Sequence, residues 1–136
     1  MSINALKKPA AVLAALSMLA GAAHADDAGK DEFMQACAAC HGESGVGDGP
    51  LAELMTVPVP NLTTLAQSND GVFPMLEVIH VIDGRTGVRG HGYPMPVWGS
   101  RFKSEVVESM GEYGAEMVVR GRVLSIAYYL ESIQQK

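Results

Sequence analysis

The sequence predicts a small all-α domain, three or four helices joined by long loops. Apolar residues recur at spacings of three and four in three separate segments, which is the period of one helix face. No segment alternates apolar with polar residues as a half-buried strand would. Between the helical segments stand stretches dense in glycine and proline, which break both kinds of regular structure. The chain has 136 residues, enough for one domain, with no internal repeat and no low-complexity segment.

The first element is a leader. Lys7-Lys8 precedes an uncharged run from Ala10 to Ala23, and Ala23-His24-Ala25 stands just ahead of Asp26-Asp27. A basic start, a short apolar run and an A-x-A site mark a secretory signal peptide. Residues 1–25 are therefore expected to be cleaved after Ala25, leaving an exported domain of residues 26–136. The run is shorter than the ~20 residues that cross a bilayer, so no membrane span is expected after cleavage. No cysteine ends the run, which argues against a lipid anchor. The mature part keeps eight basic residues against 15 acidic ones, a net charge of −7. That balance excludes a nucleic-acid partner, whose phosphates demand a basic surface.

Residues 31–40 predict the first helix, with Asp31 and Glu32 in the turn where the helix dipole favours acids. Phe33, Ala36, Cys37 and Cys40 form its apolar face. The stretch 42–60 reads as loop, with room for a short helix near 51–55. Asn69-Asp70-Gly71 is a turn, and Asp70 is expected to cap a helix over 73–83, which Gly84 then stops. Residues 85–99, with four glycines and two prolines, read as irregular. The last helix, 115–134, carries Val119, Val123, Ala127, Leu130 and Ile133 on one stripe, although Gly121 costs it about 1 kcal/mol relative to alanine. Loops this long in so small a domain call for a functional explanation, and a prosthetic group wrapped by them is one.

Cys37-Ala38-Ala39-Cys40-His41 has the C-x-x-C-H pattern of covalent haem attachment. Two cysteines on one face of a helix can each add across a haem vinyl group, and the histidine that follows turns an imidazole nitrogen toward the iron from the same side. A redox C-x-x-C would follow a strand in a βαβ unit, and no strand pattern precedes Cys37. A structural zinc site needs four ligands, and only His80 and His91 remain to join the two cysteines.

These residues, with Y-P-M-P-V-W-G at 93–99 and the closing Y-Y-L-E-S-I-Q at 128–134, resemble a monohaem class I cytochrome c, over most of the chain from Asp31 to Gln134. The resemblance implies a cytochrome c fold: first and last helices cross, and loops grip one covalently bound haem c with its iron. It implies that His41 is the proximal iron ligand and that a proline carbonyl accepts a hydrogen bond from its other ring nitrogen. Pro50 sits in the matching place, although proline also suits the start of a helical turn. It implies too that Met95, stiffened between Pro94 and Pro96, is the distal ligand. Among its rivals, Met75 fits a helical core pattern, Met55 the haem edge or the core, and Met110 and Met117 the approach to the last helix. His80 and His91 would give a two-histidine iron. Trp98 can reach a haem propionate or pack in the core. Phe33 with Tyr128 and Tyr129 is expected at the helix crossing, and Arg120 and Arg122 on a solvated face.

From Gly84 to Ser104 the chain carries Arg85, Arg89, Arg101 and Lys103 and no acid. Either these are scattered surface charges, or they surround the haem edge and orient the protein toward acidic redox partners. The expected function is periplasmic electron transfer by a carrier that is not itself an enzyme. The alternatives are a haem subunit of a larger oxidase or dehydrogenase, and a five-coordinate catalytic or gas-sensing haem protein.

Overall fold

The computed structural model describes residues 23–85, 87 and 95–135. The leader before Ala23, together with Arg89, His91, Tyr93 and Pro94, lies outside the described residues. Four α-helices follow one another: α1 (Ala23–Ala36), α2 (Ala38–His41), α3 (Met75–Asp83) and α4 (Trp98–Ser132). Three 3₁₀ turns, Ala52–Leu54, Leu62–Thr64 and Gln67–Asn69, lie between α2 and α3. Among the described residues there is no strand, and no helix is long and apolar enough to cross a membrane.

The core forms where α1 crosses α4 and α3 packs against the same helix. Phe33 is fully buried, with its ring centroid 5.2 Å from that of Tyr129. Gly29 sets the distance of this crossing. A Cβ there would stand 2.2 Å from the carbonyl oxygen of Ser125, so only glycine lets the two backbones approach so closely. Tyr129 is buried, whereas its neighbour Tyr128 is 49% exposed, because one residue turns a helix by about 100°. The crossing therefore uses one of the two tyrosines expected there. Val119, Val123, Ala127 and Leu130 of the predicted stripe line the buried face of α4, joined by Ile126, while Ile133 lies just past the helix end and is only half-buried.

Helix boundaries differ from expectation in three places. The first helix begins at Ala23, well before Asp31, and is interrupted at Cys37, after which α2 carries the rest of the motif. Asp70 does not cap α3. It takes a left-handed conformation that ends the third 3₁₀ turn, and α3 starts after Pro74 without a side-chain cap. The last helix begins at Trp98 and has two arms, 98–110 and 112–132, broken at Gly111. The first arm buries only Gly99 and Phe102, too little to give a readable period. Gly84 does stop α3, in the left-handed conformation and with its N–H on the carbonyl of His80.

The two arms and α1 are joined by Arg122, which is not solely a solvated residue. Its guanidinium lies 3.8 Å from the Phe102 ring centroid and donates to Glu32 of α1 and Glu105 of the first arm. At the C-terminal end, Gln134 accepts from the backbone N–H of Ala66 and donates to the carbonyls of Leu62 and Leu130. Gln135 donates its backbone N–H to the carbonyl of Thr63. These bonds hold the 62–66 segment against the end of α4.

Candidate functional site

The C-x-x-C-H motif lies at the end of the α1–α2 pair, within the core. Cys37 is buried, Cys40 half-buried and His41 only 6% exposed. Both cysteines are free thiols. Burial, with the nearby Cys40 and Glu32 adding to it, pushes the Cys37 thiol up to about 12.

A helix as short as α2 exposes most of its carbonyls, and the following loop answers each one. Gly42 N–H donates to Ala38 O, Leu51 N–H to Ala39 O, Gly49 N–H to Cys40 O and Gly47 N–H to His41 O, at 2.8–3.1 Å. This explains the spacing of the glycines. A Cβ on Gly49 would lie 2.6 Å from the carbonyl oxygens of Ala38 and Ala39, so the loop can press onto the end of the helix only as glycine. The glycines that read as simple loop punctuation are thus the frame of the motif. The next turn of chain is tied in by Leu62 N–H to Gly45 O at 2.7 Å.

That tie carries Pro60 to His41. The Pro60 carbonyl is 3.3 Å from Nδ1 of the histidine. A carbonyl can only accept, so Nδ1 is the donor, and in a neutral ring that leaves Nε2 as the nitrogen that suits iron. The proline in this role is Pro60, and the expectation for Pro50 is corrected. Pro50 is exposed and lines a hollow with Met34, Ala38 and Ala39, one that none of Cys37, Cys40 and His41 borders. Asn61 fixes the Pro60 turn, because its Oδ1 accepts from both N–H and Oγ of Thr63 at 2.8 and 2.7 Å.

The residues around the motif fit a large apolar plate. Leu62, Leu65, Phe73, Met75, Ile79 and Trp98 all pack on the buried core yet remain only half-covered. Among the described residues no three of His, Cys, Asp and Glu converge as a metal site of their own, and no strand precedes the motif. The family described as "Cytochrome C oxidase, cbb3-type, subunit III" matches residues 24–113. The chain belongs to this family of c-type cytochrome domains. Neither a curated protein nor a solved structure gives a significant match. A cytochrome of this family carries covalently bound haem c with iron, and its chemistry is electron transfer.

Met95 is half-buried and leads through Pro96 and Val97 into α4. Met75 is half-buried against the core, as its pattern predicts, and Met110 and Met117 are exposed. Trp98 opens α4 with its ring 5.4 Å from Phe102, and the Arg101 guanidinium stands 5.5 Å from the Trp98 ring. Trp98 thus packs partly against the core.

The basic segment carries fewer open charges than its sequence implies. Arg85 makes forked contacts to Asp83 at 2.7 Å and to Glu116 at 2.6 and 3.1 Å. Lys103 pairs with Glu112 at 2.5 Å. Arg101 is exposed, and Arg89 lies outside the described residues. Arg85 holds the Glu116 carboxyl down at about 2, with Arg120 adding to it, and holds Asp83 below its usual range.

Proposed function

We propose that the protein is an exported, periplasmic one-electron carrier with a single haem c held by thioether bonds to Cys37 and Cys40, and with His41 and Met95 as iron ligands. The observation that carries this reading is the His41 ring. It is buried, directly follows the cysteine pair, and is fixed by the Pro60 carbonyl in the tautomer that offers Nε2 to a metal. When bound, the haem supplies the reversible one-electron couple. The chain supplies the attachment thiols, an oriented imidazole and the half-covered apolar side chains that would keep water from the ring. A thioether opposite an imidazole favours Fe(II) and raises the potential relative to two histidines. With both axial positions filled by the protein, no site is left for oxygen or peroxide, and the protein is a carrier with no substrate chemistry.

The leader Lys7-Lys8, the apolar run and Ala23-His24-Ala25 support export with cleavage after Ala25, which would leave part of α1 at the new N-terminus. The test is one purification of the exported protein. Mass spectrometry should find the chain from Asp26 to Lys136 plus one haem, and acidified acetone should fail to extract that haem. Extractable haem, or a Cys37–Cys40 disulfide in the mature holoprotein, would sink the assignment.

A second reading has its own support in the family description, which names an oxidase subunit. A haem subunit of such a complex would co-purify with its enzyme, whereas a free carrier would purify alone. Acidic redox partners would meet the exposed Arg101 more readily than Arg85 and Lys103, which are ion-paired within the chain.

A further inference from the structure

His41 and Thr63 are both buried polar side chains, and a continuous path links them. The Nδ1 of His41 donates to the carbonyl of Pro60 at 3.3 Å, and the peptide unit that carries this carbonyl continues into Asn61. Asn61 is held at both of its ends. Its Oδ1 accepts from the backbone N–H and the hydroxyl of Thr63 at 2.8 and 2.7 Å, and its carbonyl accepts from the hydroxyl of Thr64 at 3.3 Å. The Thr63 hydroxyl in turn accepts from Nε2 of Gln135 at 2.9 Å, and the Thr63 carbonyl accepts from the backbone N–H of Gln135 at 2.8 Å. The Gln135 amide thus donates to a hydroxyl that donates onward to Asn61. Bonds arranged head to tail in this way strengthen one another.

The bond at the His41 end of this path is the one most easily lost. At 3.3 Å it lies at the long limit of an N–H···O hydrogen bond. A shift of roughly a few tenths of an ångström in the Pro60–Asn61 peptide would break it. Proline has no N–H with which to tie the turn down, so Asn61 and its partners must do so. An acceptor on the outer nitrogen of a metal-bound imidazole makes the ring a stronger donor, which favours Fe(III) and lowers the potential.

We propose that Thr63 and Gln135 are positioning residues for His41. Through Asn61 they hold the Pro60 carbonyl on Nδ1, and so set the donor strength of the imidazole and with it the reduction potential. This role rests on the reading of His41 as an iron ligand. Gln135 lies past the end of α4, so the path couples the close of the last helix to the C-x-x-C-H motif through three side chains.

The test uses the holoprotein and reads the reduction potential and, by NMR, the hydrogen–deuterium exchange of the His41 Nδ1 proton. Thr63→Val keeps the shape of the side chain and removes both of its hydroxyl bonds. It should raise the potential and speed the exchange about threefold to tenfold, the factor that one ordinary hydrogen bond supplies. Gln135→Ala, at an exposed position, should shift both in the same direction and by less, because the bond from Thr63 to Asn61 remains. Thr63→Ser keeps the hydroxyl and should give wild-type values. Gly29→Ala should lose stability through its clash with the Ser125 carbonyl and leave both readings as they were. If Thr63→Val and Gln135→Ala lose stability while potential and exchange stay at the wild-type values, the path is only structural and the proposal is overturned. A potential that falls in Thr63→Val overturns it as well. A His41→Ala protein that keeps the wild-type haem spectrum would instead overturn the ligand reading beneath it.

Discussion

From Cys37 to Leu62 the chain is held mainly by backbone hydrogen bonds, whereas Asp83 and Arg85 meet the start of α4 mainly through side chains. Around the motif, four loop N–H groups occupy the four carbonyls of α2, and a fifth bond brings Pro60 onto His41. At the start of α4, the joints are the Arg85 fork and the contact of Gly84 with Val97. Backbone bonds cannot be titrated and survive most side-chain changes, whereas side-chain joints can be strengthened, weakened or loosened by pH and salt.

The largest test of this contrast removes the covalent attachment of the haem. A Cys37→Ala, Cys40→Ala double variant should be largely unfolded, because glycine-rich loops bury too little apolar surface alone to offset their ordering entropy. Circular dichroism and NMR of that variant decide the matter. A well-dispersed spectrum would mean that the backbone frame of α2 stands without haem.

The next test separates the two candidate thioethers. Met95→Ala should abolish the Met–Fe(III) band, lower the reduction potential and open the iron to cyanide and carbon monoxide. Met75→Ala should keep the band and lose only packing, less than the roughly 2–5 kcal/mol of a fully buried methionine, since Met75 is only half-buried. The opposite pattern would exchange their roles.

Smaller again is the effect of one methyl group placed on each side. Gly49→Ala would push a Cβ to 2.6 Å from two carbonyl oxygens of the backbone, whereas Gly99→Ala meets the mobile ends of Arg85 and Asp83 at 2.5 Å. The same substitution should therefore cost about 1–3 kcal/mol at Gly49 and clearly less at Gly99. Equal losses in denaturant titrations would erase the distinction between a backbone-held and a side-chain-held flank.

The same division explains what could be read from the sequence. The C-x-x-C-H motif at Cys37–His41 could be picked out because attachment chemistry needs these residues adjacent in the chain, and the stripe of α4 was legible because burial on one face repeats. Pro60 was not, since it meets His41 across nineteen positions and Pro50 offered the same residue type nearer by. Gly29 was not, because a glycine near the start of a helix looks like a break until the partner backbone of Ser125 is in view. The Arg85 fork was hidden for a related reason: the segment 84–104 contains no acid, and both of its carboxylates come from outside that window.

The smallest effect separates the flanks by pH. Glu116 titrates at about 2 in the fold, against an ordinary value of 4.5, and Asp83 is also lowered, in both cases chiefly through Arg85. A carboxyl whose folded pKa is depressed stabilises the fold fully above its unfolded pKa, and that contribution is lost as pH falls through the folded one. The Arg85 fork should thus weaken between about pH 4.5 and about pH 2. Asn61→Ala, on the other flank, removes a neutral cap worth about 0.5–2 kcal/mol that involves no titrating group. Denaturant titrations at pH 7 and pH 3 should show the cost of Arg85→Gln shrinking in acid and the cost of Asn61→Ala holding steady. An Arg85→Gln cost that is the same at both values would mean that the fork contributes no charge interaction to the fold, and that Gly99 and Val97 are held by packing alone.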